Sequence, residues 1–385
     1  MKLGLRRTLL TATTLVFVCM LSIRVTGQSP APAQGSQMAE TVFKNVQVLK
    51  GITVSEFMAT MGLFSASLGM SCQDCHAADD SAWENFAVDN ARKRMARRMI
   101  TMMAEINKAQ FGGRQMVTCY SCHRGADRPR TGVGILETLY GQPPENPTYV
   151  IAQAPNMPTA ESILDKYIQA LGGAQRLAAL TSYTATGKSV GYGPESAEDR
   201  PAEIYAKAPN QITTIIRTSN GNIIKTLDGR NVWIVAPLRQ PEPVMTIGGK
   251  ELEATKIEGV LAFPGQIKQA LTKWRTGFPT VVNDKDVDVV QGNTADGAVV
   301  TLYFDQQSGL LERHMRFTES PVGPLVTQVD YSDYRDVAGV KMPYKFTVTW
   351  LDGREQVELT EIRANVAVDA ARFARPAPAA APARR

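Results

Sequence analysis

Cys72-Gln73-Asp74-Cys75-His76 and, 47 residues later, Cys119-Tyr120-Ser121-Cys122-His123 are two copies of one pentad, Cys-x-x-Cys-His. The 385-residue chain holds five cysteines and three histidines, and the pentads take four of the cysteines and two of the histidines. Two cysteines followed at once by histidine form the attachment pattern of c-type haem. The thiols become thioethers to the porphyrin, and the imidazole becomes the proximal iron ligand. A redox disulfide or a four-thiolate zinc site also uses Cys-x-x-Cys, but neither calls for a histidine after each pair. The pattern predicts two covalently bound haems c, one on Cys72 and Cys75 with His76, the other on Cys119 and Cys122 with His123.

The chain around the pentads is rich in methionine and helix formers. Val54 to Leu68 carries apolar residues at helical spacing. Ala91 to Lys108 predicts a long helix with Met95, Met99, Met102 and Ile106 on one stripe, closed by Phe111-Gly112-Gly113. A six-coordinate haem needs a second axial donor. The one remaining histidine, His314, lies far along the chain, so the donor is expected to be methionine. For the first haem Met58 and Met61 share a helix, and Met61, eleven residues before Cys72, is preferred; Met70 is too close to the pentad. For the second haem Met95, Met99, Met102 and Met103 are all candidates, although most methionines at helical spacing are core filler. Arg92, Lys93, Arg94, Arg97 and Arg98 crowd the same helix, either to pair with haem propionates or an acidic partner, or as a solvated face. Tyr120 and Trp83 are placed to pack on a macrocycle edge or in an ordinary core.

Further out, Met1-Lys2 to Arg6-Arg7 is basic, Thr8 to Ile23 is apolar, and Val25-Thr26-Gly27 offers a cleavage site before Gln28. Residues 1–27 are thus expected to be a signal peptide and the mature protein periplasmic, membrane-associated if the apolar run is retained as an anchor. Cys19 is one of the apolar residues of that run rather than a lipidation site. Residues 28–40 form a Pro/Ala/Gln-rich leader, 41–140 the dihaem domain, 141–158 a Pro-rich linker, 159–372 a β domain and 373–385 an Ala/Pro-rich tail. The net charge of +5 is modest, and no basic-aromatic repeat accompanies it, which argues against nucleic-acid binding.

In the second half, Thr159 caps a predicted helix through Ile163, Leu164, Tyr167, Ile168 and Leu171, ended by Gly172-Gly173. Short β-like runs follow: Ile223–Leu227, Val232–Val235, Val299–Phe304, Leu311–Phe317, Val340–Trp350 and Gln356–Ile362. No catalytic set assembles there. Glu312, His314 and Arg316 alternate on one strand, which predicts an exposed sheet face. The fold class is multidomain α + β: a mostly helical dihaem cytochrome domain, then a helix and an antiparallel sheet.

Two resemblances sharpen this. Ala96-Arg97-Arg98-Met99, Ile106-Asn107 and Val117-Thr118-Cys119-Tyr120-Ser121-Cys122-His123-Arg124-Gly125 resemble the bound cytochrome c subunit of photosynthetic reaction centres, over roughly Thr41 to Arg130. That resemblance implies haem ligation by Met99, in the family's Ala-Arg-x-Met segment, and by Met61, upstream of a pentad at the family's spacing. It also implies re-reduction of a photo-oxidised donor. The family typically carries four haems, one with two histidine ligands; this chain has two pentads and looks like half of such a subunit joined to a β domain. The second half vaguely resembles the half-open barrel of periplasmic lipoprotein carriers, on Ala206-Lys207-Ala208-Pro209-Asn210 and Asp228-Gly229-Arg230-Asn231-Val232-Trp233. This implies an apolar groove lined by Trp233, Phe263, Trp274 and Trp350.

The expected function is an exported dihaem electron carrier rather than an enzyme, working with redox proteins, a membrane electron-transfer complex or a reaction centre. A dihaem peroxidase and a redox-sensing module that binds a lipid or quinone are the alternatives.

Overall fold

The computed structural model describes residues 35–76, 83–132, 150–191, 199–219, 221–236, 242 and 244–377. The expected signal peptide with Cys19, most of the leader, 133–140 of the expected dihaem domain, 141–149 of the expected linker, the end of the tail and the Trp83 side chain lie outside these residues.

Helices occupy the first part: α1 (Ala39–Val42), α2 (Val54–Leu68), α3 (Cys72–Cys75), α4 (Ala91–Phe111) and α5 (Cys119–His123). The start of α2 is set by a capping box, in which Thr53 N donates to Glu56 Oε2 at 2.8 Å and Thr53 Oγ1 accepts from Glu56 N. Gly69 ends α2 in the left-handed region. α4 begins at Asn90, whose side chain accepts from Lys93 N, and ends at left-handed Gly112, as the Gly-Gly pair predicts. Among the described residues no helix is long and apolar enough to cross a membrane.

The second part opens with α6 (Ala160–Ala170), capped by Thr159 as expected, and α7 (Ala174–Ala179). Strands follow: β1 (Ser182–Gly191), β2 (Arg200–Lys207), β3 (Gln211–Thr218), β4 (Gly221–Leu227), β5 (Val232–Val235) and β6 (Met245–Ile247). After α8 (Gly249–Ala262) and α9 (Ile267–Ala270) come β7 (Thr272–Thr276), β8 (Thr280–Val282), β9 (Lys285–Asn293), β10 (Val299–Asp305), β11 (Leu311–Ser320), β12 (Gly323–Val337), β13 (Val340–Trp350) and β14 (Gly353–Ala364). All pair antiparallel in one sheet, ordered β6-β5-β4-β3-β2-β1-β14-β13-β12-β11-β10-β9-β7, with β8 on β9. Each predicted β-run lies in one of these strands.

One face of the sheet carries the main core, where Leu164, Tyr167 and Ile168 of α6 meet Leu302, Phe304, Leu311 and Val357. Tyr167 and Phe304 pack with ring centroids 5.0 Å apart. The expectation of an exposed face at Glu312, His314 and Arg316 is wrong: they are 3%, 0% and 4% exposed. His314 pairs across the ladder with Leu302, itself fully buried, and α8 covers the same strand. The charges survive burial because they are paired. Arg316 donates to Glu251 at 2.5 Å and Glu258 at 3.3 Å, Lys225 holds Glu258 at 2.7 Å, and Lys285 holds Glu312 at 2.6 Å.

The four aromatic residues expected around one groove are dispersed. Phe263 and Trp274 belong to the main core, Trp233 is half-buried on β5, and Trp350 is 41% exposed at a hairpin end. The helices of the first part rest on one end of the sheet. Val322 and Leu325 from the β11–β12 hairpin join Leu49, Leu63, Ile100 and Met103 in one buried cluster. At Gly62 of α2 the Asp352 carboxylate lies so near that an added Cβ would sit 2.9 Å from its Oδ1.

Candidate functional site

The two pentads adopt the same local structure for the same reason. Each is one helical turn whose first cysteine follows a hydroxyl residue. Ser71 N donates to Asp74 Oδ2 at 2.8 Å, and Thr118 N donates to Ser121 Oγ at 3.0 Å. The second residue between the cysteines therefore closes a capping box with the residue before them. The signal for this is Ser-Cys-x-Asp and Thr-Cys-x-Ser, which the spacing of the cysteines alone does not display. It turns both cysteines and the histidine out from a single turn. All four thiols are free of disulfides, with Cys72 and Cys122 exposed and Cys75 and Cys119 half-buried. Burial pushes the Cys75 and Cys119 thiols up from their ordinary value.

Both histidines are oriented by a backbone carbonyl. His76 Nδ1 lies 3.0 Å from Phe86 O, and His123 Nδ1 lies 2.9 Å from Ala126 O. A carbonyl only accepts, so Nδ1 carries the proton and Nε2 keeps its lone pair, which is the tautomer a metal-ligating imidazole requires. His76 also stacks on Phe86 at 4.9 Å. Burial lowers the His76 pKa, although the Phe86 bond opposes this.

α4 ties the two turns to its two ends. At its start Asn90 donates to Cys75 O at 2.7 Å and Arg92 donates to Asp74 O at 2.5 Å. At its far end Asn107 donates to Val117 O at 2.7 Å and accepts from Met116 N at 3.0 Å and Val117 N at 2.8 Å. The 17 steps between the asparagines span about 26 Å. α2 packs on α5 through Gly125 N, which donates to Ser67 O at 3.0 Å. Phe86 and Asn90 were not singled out from the sequence, and Asn107 stood there only within the Ile106-Asn107 part of the resemblance; their place in the fold reveals what each holds.

The methionines divide by face. Met103 is buried with Ile100 on the inner side of α4. Met95 and Met102 are 51% and 44% exposed, with half-buried Met99 between them at helical spacing. This outer stripe is the one expected from sequence, with half-buried Ile106 continuing it one turn on. Beside it runs an open groove of about 320 Å³ lined by Gln47, Val48, Arg97, Arg98, Thr101, Met102 and Glu105. Met61 is half-buried against the cluster that also takes Cys119, and Met58 packs with Val54 and Leu252. Tyr120 is half-exposed. In the basic run Arg97 and Arg94 pair with Asp89 at 2.7 and 3.4 Å, and Lys93 donates to Phe86 O and Val88 O. Part of that charge is therefore spent inside the helix start.

A c-type haem fits this donor set. Each turn offers two thiols free of disulfides and one imidazole whose Nδ1 faces a carbonyl, and the outer face of α4 offers thioethers. Among the described residues, no three His, Cys, Asp or Glu side chains converge as a metal cluster, so the two cysteine pairs do not form one four-thiolate site.

Residues 11–162 match the family described as photosynthetic reaction centre cytochrome C subunit. The photosynthetic reaction center cytochrome c subunit of Rubrivivax gelatinosus is 32% identical over 109 residues, 26% of this chain and 28% of that protein. Those of Roseobacter denitrificans and Thermochromatium tepidum are each 34% identical, over 26% of this chain and 28% and 25% of theirs. The chain thus spans about a quarter of the length of the curated relatives it matches. Among solved structures, a LolA superfamily protein from Nitrosomonas europaea has TM-score 0.35 and 11% identity, covering 55% of this chain and 96% of its own. A DUF1329 family protein from Desulfovibrio piger has TM-score 0.40 and 10% identity, covering 57% and 98%. The part of the chain that bears both pentads is the part that matches the photosynthetic reaction centre cytochrome c subunits, and a large antiparallel sheet follows it.

Proposed function

We propose that this protein is a periplasmic electron carrier with two covalently bound haems c, on Cys72 and Cys75 with His76 and on Cys119 and Cys122 with His123. Met61 and Met99 are the distal ligands in this reading. The observation that carries it is the matched pair of histidines, each fixed by a carbonyl at Nδ1 beside two unpaired thiols. Bound haem supplies one-electron chemistry at its iron. The chain supplies the rest. The capping boxes hold the thiols and imidazole on one turn, and Phe86 and Ala126 fix the imidazole tautomer. The uncovered Met95–Met99–Met102 stripe supports a macrocycle against α4, because an apolar helix face of this kind calls for a cover. Met99 lies at the middle of that stripe, and its thioether favours reduced iron.

Arg98, exposed beside the groove, is suited to a haem propionate or an acidic redox partner. By its likeness to the reaction centre subunits, the partner is a membrane electron-transfer complex of that kind, and the export signal at 1–27 delivers the chain to the periplasm. The test is a pyridine haemochrome count with a redox titration of protein made in a host that attaches haem c. Two haems per chain, low-spin in both oxidation states and with a far-red sulfur-to-iron band, are expected. A chain that leaves such a host with its mass unchanged by porphyrin would end the proposal.

A further inference from the structure

The β11–β12 hairpin turns at Pro321 and Val322. A hairpin turn ordinarily meets solvent, yet Val322 is 0% exposed. Its cover is the helical part of the chain. Val322 and Leu325 share a cluster with Leu63, Ile100 and Met103, against which Val117 and Cys119 pack. Gly323 is so close to Leu63 and Thr118 that an added Cβ would lie 2.9 Å from Leu63 Cδ2 and 3.6 Å from Thr118 Cβ. Gln115, four residues before Cys119, donates through Nε2 to Ser320 O at 2.8 Å. Ser320 in turn shapes the tip, donating to Gly323 O at 2.7 Å. The first pentad has a different setting, since its contacts run to Phe86, Asn90 and Arg92.

We infer that the tip of this hairpin, through Val322 and the hydrogen bond from Gln115 to Ser320 O, is a positioning element for the second haem site, seating the Cys119 turn and excluding water from it. The inference rests on the proposed haem ligation and adds to it a role for the sheet. Solvent exposure around a haem sets the balance between its charged oxidised state and its reduced state. Val322 acts through the packed cluster that also takes Val117 and Cys119, and Gln115 acts through Ser320 O. Loosening the tip admits water to the second site, favours the oxidised iron there and lowers its potential. The β13–β14 turn, with Asp352 at Gly62, bears on α2 beside Met61 and would disturb both sites, so it is left intact.

The test uses the full-length holoprotein in two single-haem backgrounds, one lacking Cys119 and Cys122 (both Ser) and one lacking Cys72 and Cys75 (both Ser). Val322→Ala and Gln115→Ala are placed in each, with Val322→Ile as the conservative control. In the background that keeps the second haem, Val322→Ala is expected to shift the reduced-to-oxidised ratio at a fixed potential about tenfold, which is about 59 mV for one electron. Gln115→Ala should move it in the same direction by less, and Val322→Ile should restore the parent value. In the other background all three should stay within about twofold of the parent. Equal shifts in both backgrounds, or no shift in either with sheet melting unchanged, would overturn the inference while leaving haem binding intact. Absence of porphyrin from both parents would instead bring down the proposed function and this role with it. If Val322→Ala fails to fold, Gln115→Ala decides alone, since it removes one hydrogen bond and no core volume.

Discussion

The two pentads have nearly the same sequence and the same capped turn, yet they are held in opposite ways. The first is fastened by hydrogen bonds at a polar helix start, where Asp74 and Arg92 are both about half-exposed. The second is wedged between α2, the end of α4 and a sheet hairpin, with a buried asparagine at its back. A six-residue motif writes the turn; the distant chain writes the surroundings. Under the proposed function the difference predicts unlike potentials for two haems held by the same attachment pattern.

The strongest blow to that comparison is removal of an axial donor. Met99→Ala should turn one haem high-spin and lower its potential by on the order of 100 mV, within the roughly 0.8 V that axial ligands span. Loss of the far-red band from one haem and its survival in the other is the expected spectrum. An unchanged spectrum would pass the role to Met95, Met102 or Met103.

A smaller effect tests the wedge itself. Gly69, at φ +61°, faces Gly125 O so closely that an added Cβ would sit 2.3 Å from it. Gly69→Ala combines left-handed strain with a backbone clash, together about 2–4 kcal/mol. Thermal unfolding followed at the second haem should show it. An equal drop in stability at the first haem would mean the helical part unfolds as one piece.

The asparagines at the two ends of α4 give a finer contrast. Asn107→Ala removes three hydrogen bonds from a residue 6% exposed, about 2–3 kcal/mol. Asn90→Ala removes a helix cap and one carbonyl bond at a half-exposed site, about 1 kcal/mol. Urea midpoints in the two variants would measure the contrast, and a reversed order would refute it.

The helical part was legible because its signals are local. Apolar residues at helical spacing foretold α2, Met95, Met99, Met102 and Ile106 foretold α4, the Gly-Gly pair foretold where α4 ends, and the pentads needed only five residues each. The sheet was legible as alternating runs divided by Asp-Gly turns. Which face of β11 lay inside was not, since Glu312, His314 and Arg316 look like a wet face until their partners are known. The partners of Arg316, Glu251 and Glu258, lie on α8, a helix the sequence reading does not predict, while Glu312 pairs with Lys285 of β9 and His314 meets Tyr331 of β12. The buried side of α8 is made of Leu252, Ala254, Thr255, Ile257 and Gly259, too small and too polar to display an apolar stripe. The same pairing hid both the helix and the strand face. Long-range ion pairs leave no local trace in either segment.

That buried network supplies the last contrast, between a helical part whose ion pairs lie at the surface and a sheet core that buries its charges. Burial lowers the pKa of His314 to about 3, with Arg316 and Lys225 acting in the same direction and Glu258 opposing them. For Glu258 burial acts upward, but Lys225 and Arg316 prevail and hold it at about 2. Tyr331, whose hydroxyl lies 3.1 Å from His314 Nδ1, stays protonated throughout, its pKa raised by burial. Both shifts have one sign. The unfolded chain binds a proton at His314 from about pH 6.5 downward and at Glu258 from about pH 4.5, while the folded chain resists each until about pH 3 and pH 2. Stability of the sheet should therefore be full above pH 6.5 and fall on acidification by about 1 kcal/mol per pH unit from His314 alone, more steeply below 4.5. His314→Gln keeps a neutral polar side chain beside Tyr331 and should flatten the curve between pH 6.5 and 4.5 while leaving the steeper fall below. Urea unfolding read from the sheet tryptophans at pH 7.5, 6 and 5 separates the two chains. Parallel slopes across that range would mean that His314 already exchanges its proton in the folded state, and that the core is wetter than its contacts imply.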